Sequence, residues 1–192
     1  MDISNLIKNR RSTFTSQLTG ERIDDDVVWG LLENANWAPT HYRTEPWRFK
    51  VYSGGGLKRL LSALASLYKE TAGEQFSQAK FDKYSIRHEQ VSHAIVIILH
   101  KSGKPNLPVV EEVASVASAV QNLWLSVTAT EDLGGYWSSG PLVYLPGFAD
   151  FLELEENQEC LGLYYLGKRK PDAVESKAER GSIKEKVTWI TE

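Results

Sequence analysis

Arg10, Arg11 and Ser12 follow one another directly. Two guanidiniums beside a hydroxyl form a ready clamp for phosphate, because charge-assisted bidentate bonds suit its geometry. The same residues also suit a solvated turn at a helix C-terminus, where the dipole favours cations. A second group is Trp37-Ala38-Pro39-Thr40-His41-Tyr42-Arg43-Thr44-Glu45-Pro46-Trp47. Aromatic, imidazole and guanidinium groups in one loop can hold a planar ligand by stacking and edge hydrogen bonds. Equally, this is a Pro-bracketed connection whose tryptophans join the core. The third group is Gly134-Gly135-Tyr136-Trp137-Ser138-Ser139-Gly140-Pro141. Its glycines let backbone approach a ligand and its serines can bond one, although a helix C-cap and turn reads the same way.

Other catalytic patterns do not occur. There is no G-x-x-x-x-G-K-[ST] phosphate loop, and Gly54-Gly55-Gly56 lacks the G-x-G-x-x-G spacing. His41, His88, His93 and His100 make no H-E-x-x-H, and one cysteine, Cys160, permits neither a zinc cluster nor an intrachain disulfide. No G-x-S-x-G elbow is found. An enzyme with this inventory draws its reactive atom from a cofactor.

These groups need elements to position them. Ile3, Leu6 and Ile7 predict a short helix from about Asp2 to Asn9, followed by a polar loop over Thr13 to Glu21. Asp24, Asp25 and Asp26 open an amphipathic helix through Leu31, Leu32 and Ala35 that Pro39 stops. Trp47 to Tyr52 alternates as a half-buried strand, Ser53 to Gly56 reads as a turn, and Leu57 to about Ala72 as a helix. The irregular stretch from Gln75 to Gln90 is a second helix or an excursion. Ala94 to Leu99 is a central strand buried on both faces. Pro108, at a first-turn position, opens a long helix to about Asp132 that is rich in small residues. Leu133 to Trp137 and Leu161 to Leu166 are extended, the latter ended by Gly167, and the apolar tail Val187-Thr188-Trp189-Ile190 must bury itself somewhere. The order predicts an α+β fold, a modest sheet covered by helices, as one domain over residues 1–192.

Composition narrows the class. The 192 residues are 42% hydrophobic and 24% charged, with 22 basic against 25 acidic side chains and a net charge of -3. That balance speaks against a nucleic-acid binder. The longest apolar run falls far short of the roughly 20 residues a membrane helix needs. With no signal peptide in view, a cytoplasmic protein is expected.

Taken in order, the three groups resemble the nitroreductase family of flavoenzymes, in its small single-domain branch. The matching elements are Arg10-Arg11-Ser12, Ala38-Pro39 through His41 to Pro46-Trp47-Arg48-Phe49, Gly134-Gly135 through Trp137-Ser138-Ser139-Gly140, and Tyr165-Leu166-Gly167. The resemblance implies a three-layer α/β/α sandwich with a mostly antiparallel sheet, in a domain-swapped homodimer holding FMN at the subunit interface. It implies that Arg10, Arg11 and Ser12 grip the phosphate and ribityl end, with Arg180 as a second phosphate-binding arginine. His41 would approach the flavin of the other subunit, with Arg43 beside it, and Trp137, Ser138 and Ser139 would line the ring. The segment from about 181 to 192 would be an arm onto the partner, or else pack on its own domain. The implied activity is ping-pong hydride transfer from NADH or NADPH through flavin N5 to a nitro-aromatic, quinone or enone acceptor.

The chain also departs from the pattern. Phe14 stands where many relatives carry a basic residue, leaving Arg43 or His41 to supply a cation near the flavin. Glu45 replaces a frequent Gln, Trp37 a polar contact, and Ser138 a larger side chain. Phe14 and Glu45 keep open a non-catalytic flavin-binding or storage module. A structural interaction domain without cofactor is the third reading.

Overall fold

The structure, a computed structural model, describes residues 2–174 and 177–192. Its elements in chain order are α1 (Ile3–Asn9), α2 (Asp25–Asn36), β1 (Trp47–Ser53), α3 (Gly54–Thr71), α4 (Gln78–Ile86), β2 (His93–His100), α5 (Val109–Ala129), β3 (Leu133–Ser138), α6 (Pro146–Phe151) and β4 (Gln158–Lys168). The strands form one antiparallel sheet in the order β1-β2-β4-β3.

β2 explains the layering. Successive side chains of a strand point to opposite faces, and here both faces are covered. Ala94, Val96 and Ile98 pack with Leu57, Leu60, Leu61 and Leu64 of α3 and Phe148 of α6. Ile95, Ile97 and Leu99 pack with Leu31 and Ala35 of α2 and Val116, Ala119, Val120 and Leu123 of α5. Each Val, Leu, Ile or Phe among them gains about 1.5–3 kcal/mol on full burial. The result is the expected three-layer α/β/α arrangement. Small residues at Ala35 and Ala119, both fully buried, sit in the layer that α2 and α5 share.

Local chemistry sets most boundaries. Asp24 caps α2, its carboxylate accepting from Asp26 N at 3.0 Å. The expected turn at Ser53–Gly56 does not form; the strand passes straight into α3, which begins at Gly54. Pro108 is the N-cap of α5 rather than its first helical residue, and the helix ends at Ala129, where Thr130 N bonds back to Ser126 O at 3.1 Å. Gly167 does not end β4, which continues to Lys168 because β3 pairs with it from Leu133↔Lys168 onward. The loop over Thr13 to Glu21 contains a 3-10 turn at Thr15–Gln17 and buries Leu18. The 3-10 turn Pro141–Tyr144 and α6, each opening on a proline, were not expected, nor were the 3-10 turns His41–Arg43 and Ile183–Lys186. In the single chain the apolar tail stays exposed, Trp189 at 84% and Ile190 at 80%. Among the described residues no helix is long and apolar enough to cross a membrane.

Candidate functional site

α1 ends at Asn9 and is C-capped by Arg10, whose N–H bonds to Leu6 O at 3.1 Å. The chain then runs out beside β3, where Thr13 N donates to Gly135 O at 3.1 Å. This path lays the Arg10 guanidinium 4.2 Å above the centroid of the Trp124 ring, and Trp124 Nε1 in turn donates to Arg11 O at 3.1 Å. A guanidinium stacked on an indole is held by cation–π attraction. Among the described residues, Arg10 Nη1 is buried and has no hydrogen-bond partner. Burial lowers the pKa of this guanidinium, the charge of Arg180 lowers it further, Tyr164 works in the opposite direction, and Arg11 adds a smaller lowering. Arg180, from the far end of the chain, therefore stands within electrostatic range of Arg10. Converging cations with an unmet buried donor call for an anion.

Arg11 points another way. Its Nη1 donates to Lys8 O at 2.6 Å and Arg10 O at 3.0 Å, which places its charge on the C-terminal carbonyls of α1. It lines a cavity of about 270 Å³ with Asn9, Thr13, Thr128, Arg169 and the Trp124 ring on which Arg10 stacks. Ser12, the next residue, is half-buried.

Trp137 and Ser138 close β3, with Trp137 opposite Tyr164 and Ser138 opposite Leu163, and Ser139 follows as an exposed residue. Trp137 is half-buried and its Nε1 donates to Leu161 O at 3.0 Å. The pairing of β2 with β4 shifts register between Ile97 and Ile98, across from Gly162, whose φ is +130°. Such bulges aim a neighbouring side chain. What approaches Gly134 and Gly135 is the protein itself: Thr13 and Arg169 at the first, the Tyr164 ring and Tyr165 O at the second.

His41 and Arg43 lie elsewhere. Their loop is bent through three non-glycine residues with positive φ, Tyr42 (51°), Arg43 (51°) and Glu45 (43°). Strain of this kind persists where the surroundings over-determine it. Here His41 Nδ1 pairs with Glu111 Oε2, Lys104 Nζ donates to Tyr42 O at 2.8 Å, and Glu45 N donates to Thr40 Oγ1 at 3.1 Å. Glu111 opens α5 and Trp124 lies near its end, about 20 Å away at 1.5 Å rise per residue. Within one chain, then, Arg10 and the segment after it lie beside the start of β3, with Arg180 in electrostatic range, while His41 and Arg43 sit at the opposite end of α5.

The departures acquire physical settings. Phe14 packs on Tyr136 with ring centroids 5.1 Å apart. Trp47 belongs to the core and bonds Asn36 Oδ1 at 3.0 Å, whereas Trp37 is 79% exposed. Two residues at the Arg10 site escaped sequence reading, Trp124 and Tyr164. Both sit where periodicity assigns core, and their polar tips are the signal that could have flagged them. Among the described residues no group of three or more His, Cys, Asp or Glu side chains gathers as a metal site.

Comparison with known proteins adds identity to this geometry. The family model described as "Nitroreductase family" matches residues 7–168. The Bacillus subtilis protein YfhC, whose name places it among NAD(P)H nitroreductases, is 24% identical over 187 residues, covering 97% of this chain and 93% of its own. A nitroreductase-like family protein from Bacillus cereus superposes with a TM-score of 0.82 at 30% identity, over 99% of this chain and 96% of that one. The FMN-dependent nitroreductase NfnB from Mycobacterium smegmatis, solved with NADPH, superposes with a TM-score of 0.77 at 17% identity, over 98% and 97% of the two chains.

Proposed function

The chain belongs to the nitroreductase family, and from that premise we propose that it is an FMN-dependent NAD(P)H oxidoreductase. A nitro-aromatic, quinone or enone is the acceptor class in this reading. The observation that carries it is the buried, unpartnered Arg10 Nη1, stacked on Trp124 with the Arg180 charge nearby. Leaving such a donor unmet costs on the order of 1–3 kcal/mol, which a phosphate oxygen would relieve.

The residues present suit the cofactor. Arg10 and Arg180 would hold its phosphate, and Ser12 its ribityl end. Trp137, Ser138 and Ser139 would line the ring at the end of β3, where the Trp137 indole is already fixed on Leu161 O. Arg11 adds positive potential from behind the segment, with its own guanidinium turned to α1. FMN, when bound, supplies two-electron redox chemistry between a nicotinamide and an acceptor. The protein's part is to bind, orient and exclude water.

A second copy of the chain completes this site. His41 and Arg43 lie about 20 Å from Arg10 along α5 and would serve the partner's cofactor. Support comes from apolar surface left without cover. α1 has no buried residue, with Ile3 60% exposed, and Trp29, Val187, Trp189 and Ile190 are also exposed. A groove of about 500 Å³ runs between α1, α2 and α5, lined by Ile3, Leu6, Val27, Leu31 and Leu125. The segment from about 181 to 192 is the arm that would lie on the partner. Sedimentation should give twice the chain mass, and a monomer for a protein lacking residues 187–192.

Dialysis of FMN-loaded protein tests the cofactor assignment. The parent should stay yellow, and Arg10→Ala should bind FMN about ten- to a hundred-fold more weakly, from a loss of roughly 1.5–3 kcal/mol. A parent that releases its flavin, or an Arg10→Ala protein that retains it equally well, contradicts the assignment.

A further inference from the structure

Two buried polar atoms belong to residues packed against one ring, and among the described residues neither has a hydrogen-bond partner. They are Nη1 of Arg10 and the hydroxyl of Tyr164. Arg10 lies 4.2 Å over the Trp124 centroid, and the Tyr164 ring meets that indole edge-on, with centroids 5.6 Å apart at 82°. Trp124 is itself tied down by its bond to Arg11 O at 3.1 Å.

The phenol is held in place by a glycine. A Cβ at Gly135 would come within 2.7 Å of Tyr164 Cε1 and 3.0 Å of Cζ, so any larger residue would push the ring away. Gly135 in turn accepts the Thr13 N–H at 3.1 Å, which keeps the phenol under the segment that carries Arg10. Nothing in the apolar layer around it, Ile95, Leu123, Leu133 and Leu166, offers the hydroxyl a partner.

A buried hydroxyl and a buried guanidinium N–H each lose on the order of a hydrogen bond's desolvation cost when left unmet. Both are donors, and an oxygen carrying negative charge and several lone pairs satisfies both at once. We propose that Tyr164 is a phosphate-binding residue, its hydroxyl and Arg10 Nη1 donating together to the phosphate group that this site receives. The proposal rests on the reading of Arg10 as the phosphate anchor. Burial raises the pKa of the phenol, which keeps it protonated as a donor. Trp124, between the two, is a positioning residue.

Tyr164→Phe removes the hydroxyl and keeps the ring. Flavin-free parent and variant are titrated with FMN and with riboflavin, which lacks the phosphate. Their thermal midpoints are also compared in inorganic phosphate and in chloride of equal ionic strength. The expected result is FMN affinity about ten-fold weaker in Tyr164→Phe, unchanged riboflavin affinity, and a smaller phosphate-induced rise in midpoint. In an Arg10→Ala background the same change should alter FMN affinity less than about two-fold, because the shared oxygen is already lost. Equal FMN affinity in parent and Tyr164→Phe would mean that water bonds the hydroxyl, and would overturn the proposal. Equal losses for FMN and riboflavin would place the hydroxyl away from the phosphate, with the same consequence. A parent that binds no FMN yet keeps a Tyr164-dependent phosphate effect would sink the flavin reading alone. A parent that responds to neither ligand sinks both.

Discussion

Trp137 lies against a β4 position, Gly162, that has no room for a side chain. Its Nε1 donates to Leu161 O at 3.0 Å, and a Cβ at Gly162 would fall 2.5 Å from that same nitrogen. Gly162 also holds φ at +130°, a conformation that other residues adopt only under strain. Gly162→Ala should therefore cost roughly 1–3 kcal/mol by overpacking, with about 1–3 kcal/mol of backbone strain added. Urea unfolding followed by tryptophan fluorescence reads both the loss and the displaced indole. Unchanged stability and emission would show that Gly162 does not set Trp137.

The Arg180 charge is the second cause, after burial, that lowers the Arg10 pKa, so the two guanidiniums repel each other in the flavin-free chain. Arg180→Gln should leave the flavin-free protein at least as stable as the parent while weakening FMN about ten-fold. The comparison needs one thermal melt and one FMN titration. Undiminished FMN affinity would remove Arg180 from the site.

How much of this was legible in the chain depends on what each residue's neighbours are. The apolar run Ala94–Leu99 could only be a doubly buried strand, and the leucines of α3 and the acids opening α2 announced their helices. Gly54–Gly56 misled because glycines signal a turn, and only the docking of α3 on the sheet makes them the start of a helix. Arg10 and Arg11 are equivalent in sequence, and their split into a stacked, unmet donor and a helix-capping one depends on Trp124, which arrives from α5. Gly135 looked like a place for ligand to approach backbone. Its real neighbour, Tyr164, comes from the next strand of the sheet, a pairing that local pattern does not encode.

His93 provides a pH dependence away from the cofactor. It is buried between Ser92 Oγ at 2.8 Å and Asp25 Oδ1 at 3.1 Å, and Ser92 Oγ also accepts from Ile23 N at 2.7 Å. A neutral ring satisfies all three bonds, with Nε2–H donating to Asp25 and Nδ1 accepting from Ser92. Burial lowers its pKa below the usual 6.5, against the opposing pull of Asp25. The unfolded chain therefore binds a proton more readily than the folded one. This contribution to stability is fully present above 6.5 and is lost as pH falls from there toward the folded value. Asp25, lowered from 3.8 chiefly by its bond to His93, adds a further loss in stronger acid. Urea unfolding at pH 8 and pH 5 should show a smaller decline in His93→Gln than in the parent, whatever their absolute stabilities. Parallel declines would assign the effect to other groups.

The strained loop around Tyr42 is held from α5. Glu111→Gln weakens the pair with His41, so amide exchange over residues 41–45 should quicken. Global stability should change by less than about 1 kcal/mol, as for an exposed pair. Hydrogen-exchange mass spectrometry measures this directly, and unaltered exchange would mean the loop keeps its shape without Glu111.

Catalysis rather than storage is the central claim, and an anaerobic absorption spectrum decides it. FMN-loaded protein mixed with NADH or NADPH should lose its yellow absorbance within seconds for at least one of them, and regain it when a quinone is added. A spectrum that stays unchanged with both nicotinamides, in protein that holds FMN firmly, would contradict the account and leave a flavin-binding module in its place.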